Sequence, residues 1–169
     1  MIIKWDITIP QLSGDQVRKA YVYLPESYEE DPERRYPVMY LFDGHNVFFD
    51  EDATYGTSWG MYDYMEESGK QLILVGIECN REGDGRLREY APVTFEDSEL
   101  GRIEGEGKRY MHWLIKELKP YIDGNFRTLP DRENTMICGS SMGGLMALYA
   151  ATSFNHVFQR AACLSPSLW

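Results

Sequence analysis

With 169 residues, 43% of them hydrophobic, the chain has the length of one domain with a sizeable core, burying roughly two thirds of the surface its unfolded form exposes. Seventeen basic residues against 27 acidic ones leave a formal charge of -10, which repels nucleic acid and anionic membrane surfaces and argues against both as partners. No run approaches the ~18 apolar residues of a membrane span, and Met1 to Asp6 is not a basic segment leading into an apolar one, so the expected location is the cytoplasm.

The first elements alternate. Ile3, Trp5, Ile7 and Ile9 are interleaved with Lys4, Asp6 and Thr8, and after Ser13-Gly14-Asp15 a second alternating run extends from Lys19 to Leu24. The two runs predict an antiparallel hairpin at a sheet edge. Val38 to Phe42, Leu72 to Ile77, Thr135 to Cys138 and Ala161 to Leu164 are short apolar runs separated by helix-capable segments, the pattern of a parallel sheet with crossover helices. Between the second and third of these runs, Glu78 to Gly107 reads as a long charged connection with several glycines.

A helix follows, with Met111, Leu114, Ile115, Leu118 and Ile122 on one face and Lys108, His112, Lys116 and Lys119 on the other. Pro120 is expected to kink its last turn. Cys79, Cys138 and Cys163 form no CxxC pair, so they read as buried reduced thiols rather than as zinc ligands or a disulfide framework.

The most informative segment is Gly139-Ser140-Ser141-Met142-Gly143-Gly144, between the strand-like Thr135 to Cys138 and the helix-forming Leu145 to Ala151. A strand that turns directly into a helix passes through one residue of strained backbone, and the residues two before and two after it must be small. Gly139 and Gly143 hold those offsets from Ser141. The turn lifts the Ser141 hydroxyl clear of the sheet and aims the Met142 amide at the space beside it, as a nucleophile and an oxyanion donor require.

In a parallel sheet, ligands meet the carboxyl ends of the strands. Asp43-Gly44-His45-Asn46, the start of the Glu78 segment, the Ser141 turn and Ser165-Pro166-Ser167-Leu168-Trp169 therefore share one rim.

Tyr36-Pro37-Val38-Met39-Tyr40-Leu41-Phe42-Asp43-Gly44-His45-Asn46, Arg86-Leu87-Arg88-Glu89-Tyr90, Glu117-Leu118-Lys119-Pro120-Tyr121-Ile122, the Ser141 elbow and Leu164-Ser165-Pro166-Ser167-Leu168-Trp169 together resemble an esterase family of the α/β-hydrolase superfamily. That family includes enterochelin-esterase-like enzymes, S-formylglutathione hydrolase, feruloyl and acetylxylan esterases and the antigen 85 mycolyltransferases. The resemblance implies one α/β-hydrolase domain over residues 1–169, with Ser141 as nucleophile and the backbone amides of His45 and Met142 as oxyanion hole. It places Asn46, Arg86, Tyr90 and Trp169 toward the substrate pocket. It implies a small-molecule ester as substrate, and no metal or organic cofactor.

Family members continue past this point with two further strands that bear the triad acid and then the histidine. Neither is expected among these 169 residues, so the sheet should lack its last strands. His156 lies beyond the nucleophile helix, roughly 15 to 20 Å from Ser141 at 1.5 Å per helical residue, and His112 is on a polar helix face. Only His45 shares the rim with Ser141, at a position where the family uses a backbone donor. Two functional classes follow: a serine ester hydrolase whose base comes from elsewhere, or a catalytically inactive hydrolase-fold binding or association module. In either case Ala161 to Leu164 should form an exposed sheet edge and promote self-association.

Overall fold

The computed structural model describes residues 1–168. Its strands, in chain order, are β1 (Ile2–Ile7), β2 (Arg18–Tyr23), β3 (Val38–Phe42), β4 (Ile73–Ile77), β5 (Phe95–Asp97), β6 (Gly101–Ile103), β7 (Thr135–Ser140) and β8 (Arg160–Leu164). The helices are α1 (Pro10–Ser13), α2 (Ser27–Glu30), α3 (Met61–Ser68), α4 (Gly85–Glu89), α5 (Gly107–Trp113), α6 (Lys119–Asn125) and α7 (Met142–Ser153).

Six strands form one sheet in the order β1-β2-β4-β3-β7-β8. The β1–β2 and β2–β4 pairs are antiparallel, and the β4–β3, β3–β7 and β7–β8 pairs are parallel. The fold is thus α/β with a mostly parallel sheet and an N-terminal hairpin at one edge. β8 forms the other edge among the described residues.

The apolar runs become strands because their alternate residues serve two faces. Val38, Tyr40 and Phe42 of β3 join Ile73, Val75 and Ile77 of β4 in one core, where they meet Met111, Leu114 and Ile122 and, from α7, Met146, Ala147 and Ala150. Leu41, Leu74 and Cys138 point the other way, onto Val47, Phe48 and Met65 of α3. Two glycines in the first turn of α7 cost about 1 kcal/mol each relative to alanine. A single buried core side chain contributes about 1.5–3 kcal/mol, so burial of this helix offsets its poor start.

The structure differs from the sequence reading in two places. Glu78 to Gly107 is not an open connection: it contains α4 and the β5–β6 hairpin, with its end tied back by the Glu106 amide donating to the Arg88 carbonyl at 2.8 Å. Its charges conceal a set of buried residues, Glu89, Tyr90, Ala91 and Ile103, that anchor it to the core. At Pro120 the helix continues to Asn125, and the irregularity comes earlier, as a π-helical stretch over Leu114–Leu118. Proline donates no N–H and its ring presses on the carbonyl four residues back, so a widened turn ahead of it lets α6 proceed.

Candidate active site

β7 runs straight into α7 through Ser141, whose backbone takes φ 57 and ψ -120. That region is costly for any residue with a Cβ, and surrounding contacts hold it. The Ser141 amide donates to the Leu164 carbonyl at 3.0 Å, and the Ser141 carbonyl accepts from the Ser167 amide at 3.1 Å. A Cβ on Gly139 would lie 2.9 Å from the Gly143 Cα and closer still to its carbonyl, so the strand and helix approach that the sequence implied is present.

The Ser141 side chain is exposed at the rim, and its Oγ lies 3.1 Å from the Ser167 Oγ. The first amides of a helix have no intrahelical acceptor, so Met142, the first residue of α7, presents a donor beside this hydroxyl. Ser167 was legible only as part of a rim segment; nothing in the sequence marked its hydroxyl as the neighbour of Ser141. None of the hydrogen bonds among the described residues joins an imidazole to Ser141, and His112 and His156 are exposed elsewhere.

Opposite the elbow, β3 is followed by Asp43, a non-glycine residue at φ 55, and a 3-10 turn covers Gly44–Asn46. Gly44 is required there, since a Cβ would come within 2.8 Å of the Gly76 Cα on β4. His45 and Asn46 line a cavity of about 590 Å³ together with Trp59, Arg86, Ser140 and Ser141. The Asn46 side chain accepts the Thr54 amide at 2.9 Å, which fixes the loop forming the cavity wall.

The His45 ring is buried. Its Nε2 lies 3.0 Å from the Thr54 hydroxyl and its Nδ1 has no partner among the described residues. Burial pulls its pKa below the usual imidazole range, with the Asp43 charge opposing that shift only in part. Burial thus disfavours the charged ring, and the ring is turned to Thr54 while Ser141 is paired with Ser167.

Arg86 lies on the cavity wall, but its guanidinium is turned to Asp43, with Nε to Oδ1 and Nη2 to Oδ2 both at 2.8 Å. Tyr90 lies beneath the wall, fully buried, and its hydroxyl accepts the Asp43 amide at 3.0 Å. Trp169 lies outside the described residues. On the other flank of the elbow, Met142, Leu145, Leu148, Ser167 and Leu168 border a second, more apolar hollow of about 500 Å³.

The three thiols are free. Burial holds Cys138 at a pKa of about 11, and burial together with the Asp43 charge pushes Cys79 higher still, so neither is a ready nucleophile. Asp43, His45 and Cys79 bring one donor atom each within 4.8 Å of one another. The Asp43 carboxylate is already committed to the Arg86 fork, and that positive charge opposes a cation at the same place.

An α/β sheet carrying a strained serine between one of its parallel strands and a helix, with a second amide-bearing turn across the rim, has the architecture of the α/β-hydrolase class. The Esterase family matches over residues 13–169, and the chain belongs to it. The Bacillus subtilis protein YbbA is 25% identical over 154 residues, covering 90% of this chain and 58% of that protein. An endo-1,4-beta-xylanase/feruloyl esterase of Xylanibacter ruminicola is 30% identical over 149 residues, covering 82% of this chain and 18% of that protein. Among solved structures, an IroE-like serine hydrolase from Shewanella oneidensis superimposes with a TM-score of 0.76 at 25% identity, covering 100% of this chain and 52% of that one. The chain thus spans little more than half the length of YbbA and of the Shewanella hydrolase, and under a fifth of the Xylanibacter protein. No helix among the described residues is long and apolar enough to cross a membrane.

Proposed function

We propose that the chain carries the nucleophile and the oxyanion hole of a serine carboxylic-ester hydrolase. The observation that carries this reading is Ser141 itself, strained at the head of α7 and open to the cavity that also holds His45 and Asn46. The Ser141 Oγ attacks the acyl carbonyl carbon while its proton passes to a base. The carbonyl oxygen becomes negative between the His45 and Met142 amides, each donor being worth about 2.7–4 kcal/mol in the transition state of comparable enzymes. Collapse of the tetrahedral intermediate breaks the bond to the alkoxy oxygen, which takes the proton and leaves as the alcohol. Water then attacks the acyl-enzyme and releases the acid.

The reading takes the base and its orienting carboxylate from outside these 169 residues, because the neighbour of the Ser141 hydroxyl is Ser167 and not an imidazole. The 169 residues alone are therefore expected to turn over ester slowly, at the ~10³ to 10⁴ above water that an oxyanion hole and binding leave when a triad is broken. The substrate is a small-molecule carboxylic ester, in the range of acylated sugars, feruloyl-type esters and siderophore lactones, met in the cytoplasm. No metal or organic cofactor enters these steps.

The missing imidazole is also the observation that favours the second reading, an inactive hydrolase-fold module that binds or associates. A fluorophosphonate separates the two. Labelling that is lost in Ser141→Ala and kept in Ser140→Ala supports the hydrolase. A Ser141 that stays unlabelled, even when the chain is joined to the remaining length of a relative, decides for the module.

A further inference from the structure

We propose that Asp43 is the positioning residue of the oxyanion hole, clamped by Arg86 and Tyr90, and that Arg86 serves the site through Asp43 rather than by holding substrate. The inference rests on the reading of Ser141 and of the His45 amide given above, and goes beyond it by assigning two residues that do not touch the reacting atoms.

Asp43 holds the left-handed conformation, φ 55 and ψ 46, which is unfavourable for a residue with a Cβ. Such a conformation persists where its surroundings over-determine it. Here its amide is fixed by the Tyr90 hydroxyl at 3.0 Å, and its carboxylate by both arms of the Arg86 fork at 2.8 Å. The side chain of Asp43 is 5% exposed, so the paired charges work in a medium where bidentate geometry counts.

Tyr90 is itself immobilised, its ring edge-on to Phe42 at 5.0 Å and to Tyr110 at 5.5 Å. The position of its hydroxyl is set by the core, which in this way dictates where the Asp43 amide sits. From the other direction Gly44 is pressed on Gly76, so the turn has no room to slide toward β4. Held at both ends, the next amide in the chain, that of His45, has one direction.

The same carboxylate reaches the elbow. A Cβ added to Gly143 would stand 3.4 Å from Asp43 Oδ2, which places this oxygen against the first turn of α7, beside Met142. One side chain thus abuts both halves of the oxyanion hole and fixes their spacing. The carboxylate takes Nε and Nη2 of the guanidinium and neutralises its charge, so a substrate anion would meet a cation that is already paired.

The test uses the 169-residue chain and its Arg86→Ala, Arg86→Lys, Asp43→Asn and Tyr90→Phe variants, with two readouts. The first is the rate at which a neutral fluorophosphonate and an anionic one label Ser141; the second is the ¹⁵N order parameter of the His45 amide. Arg86→Ala and Asp43→Asn should slow labelling by both probes about 10- to 100-fold, a part of the 10²–10³ that outright loss of a donor costs. The His45 order parameter should fall in both. Arg86→Lys should not restore the rate, because an ammonium cannot reproduce the fork, whereas added guanidinium should restore part of it to Arg86→Ala. A loss confined to the anionic probe would assign Arg86 to substrate and overturn the proposal, as would an unchanged His45 order parameter. If the unaltered chain is not labelled, the series is run on the chain joined to the remaining length of a relative, and only if that too stays unlabelled has the nucleophile reading failed. The His45 order parameter then decides the clamp by itself, and Tyr90→Phe, which deletes one hydroxyl, supplies that measurement should the charge variants not fold.

Discussion

Gly139 and Gly143 face each other across the strand-to-helix turn with no room for a methyl group on Gly139. The obstructing atoms are the backbone of Gly143, which cannot rotate away as a side chain could. Gly139→Ala should therefore destabilise the chain by about 1–3 kcal/mol or more, as overpacking does, read as a fall in the urea midpoint. Gly124, near the end of α6, meets nothing within 4 Å, and Gly124→Ala should stabilise by about 0.4–1 kcal/mol. Equal effects at the two sites would refute the close-approach argument.

Ser141 pays for its exposure with strain. At φ 57 and ψ -120, Ser141→Gly should unfold at a higher urea concentration than Ser141→Ala, by about 1 kcal/mol, although both lose the nucleophile. If alanine proved the more stable of the two, the backbone strain would not reside at this residue.

Burial depresses the pKa of His45, so the folded chain binds its proton less readily than the unfolded one. The stabilisation is complete above the unfolded value, about 6.5, and is lost as pH falls from there toward the folded value. Melting temperature should drop as pH falls below about 6.5, and His45→Gln should flatten that segment. Since the role proposed for His45 belongs to its amide, His45→Gln should also keep most Ser141 labelling. Loss comparable to Ser141→Ala would transfer the base role to the imidazole.

Arg18 and Glu89 form an ion pair at 2.8 Å with both side chains 1% exposed, and Glu89 also accepts the Asn80 amide at 2.7 Å, next to the cavity. Removing one charge strands the other in a low dielectric. Glu89→Gln should cost about 3–5 kcal/mol, and the pair Arg18→Met with Glu89→Leu less than either single change. Chemical denaturation of Glu89→Gln, of Arg18→Met and Glu89→Leu singly, and of the double variant measures this directly; additive losses would contradict it.

β8 pairs on one side only among the described residues, and Leu164 there is 47% exposed. We propose that this edge drives self-association, visible as a concentration-dependent shift in size-exclusion chromatography. Leu164→Lys should suppress it. A chain that elutes as a monomer at every concentration would remove the proposal.

Much of this architecture was legible in the sequence because it rests on local chemistry. Alternation marked β1 and β2, unbroken apolar runs marked β3, β4, β7 and β8, and the glycine offsets marked Ser141, since each of these signals is satisfied within a few residues. Long-range satisfaction of buried polar groups has no such signature. Nothing in the sequence around Asp43 and Arg86 tells that one is the other's partner across 43 residues, or that Ser167 returns to the Ser141 hydroxyl across 26. For the same reason Tyr90 read as a pocket residue and is a buried support. The sequence by itself determined the six strands of the main sheet, the helices over α5, α6 and α7, and which serine the backbone would strain. Tertiary structure alone decided which groups surround that serine, because the direction of a buried charge or hydroxyl is chosen by the partners that packing brings within 3 Å.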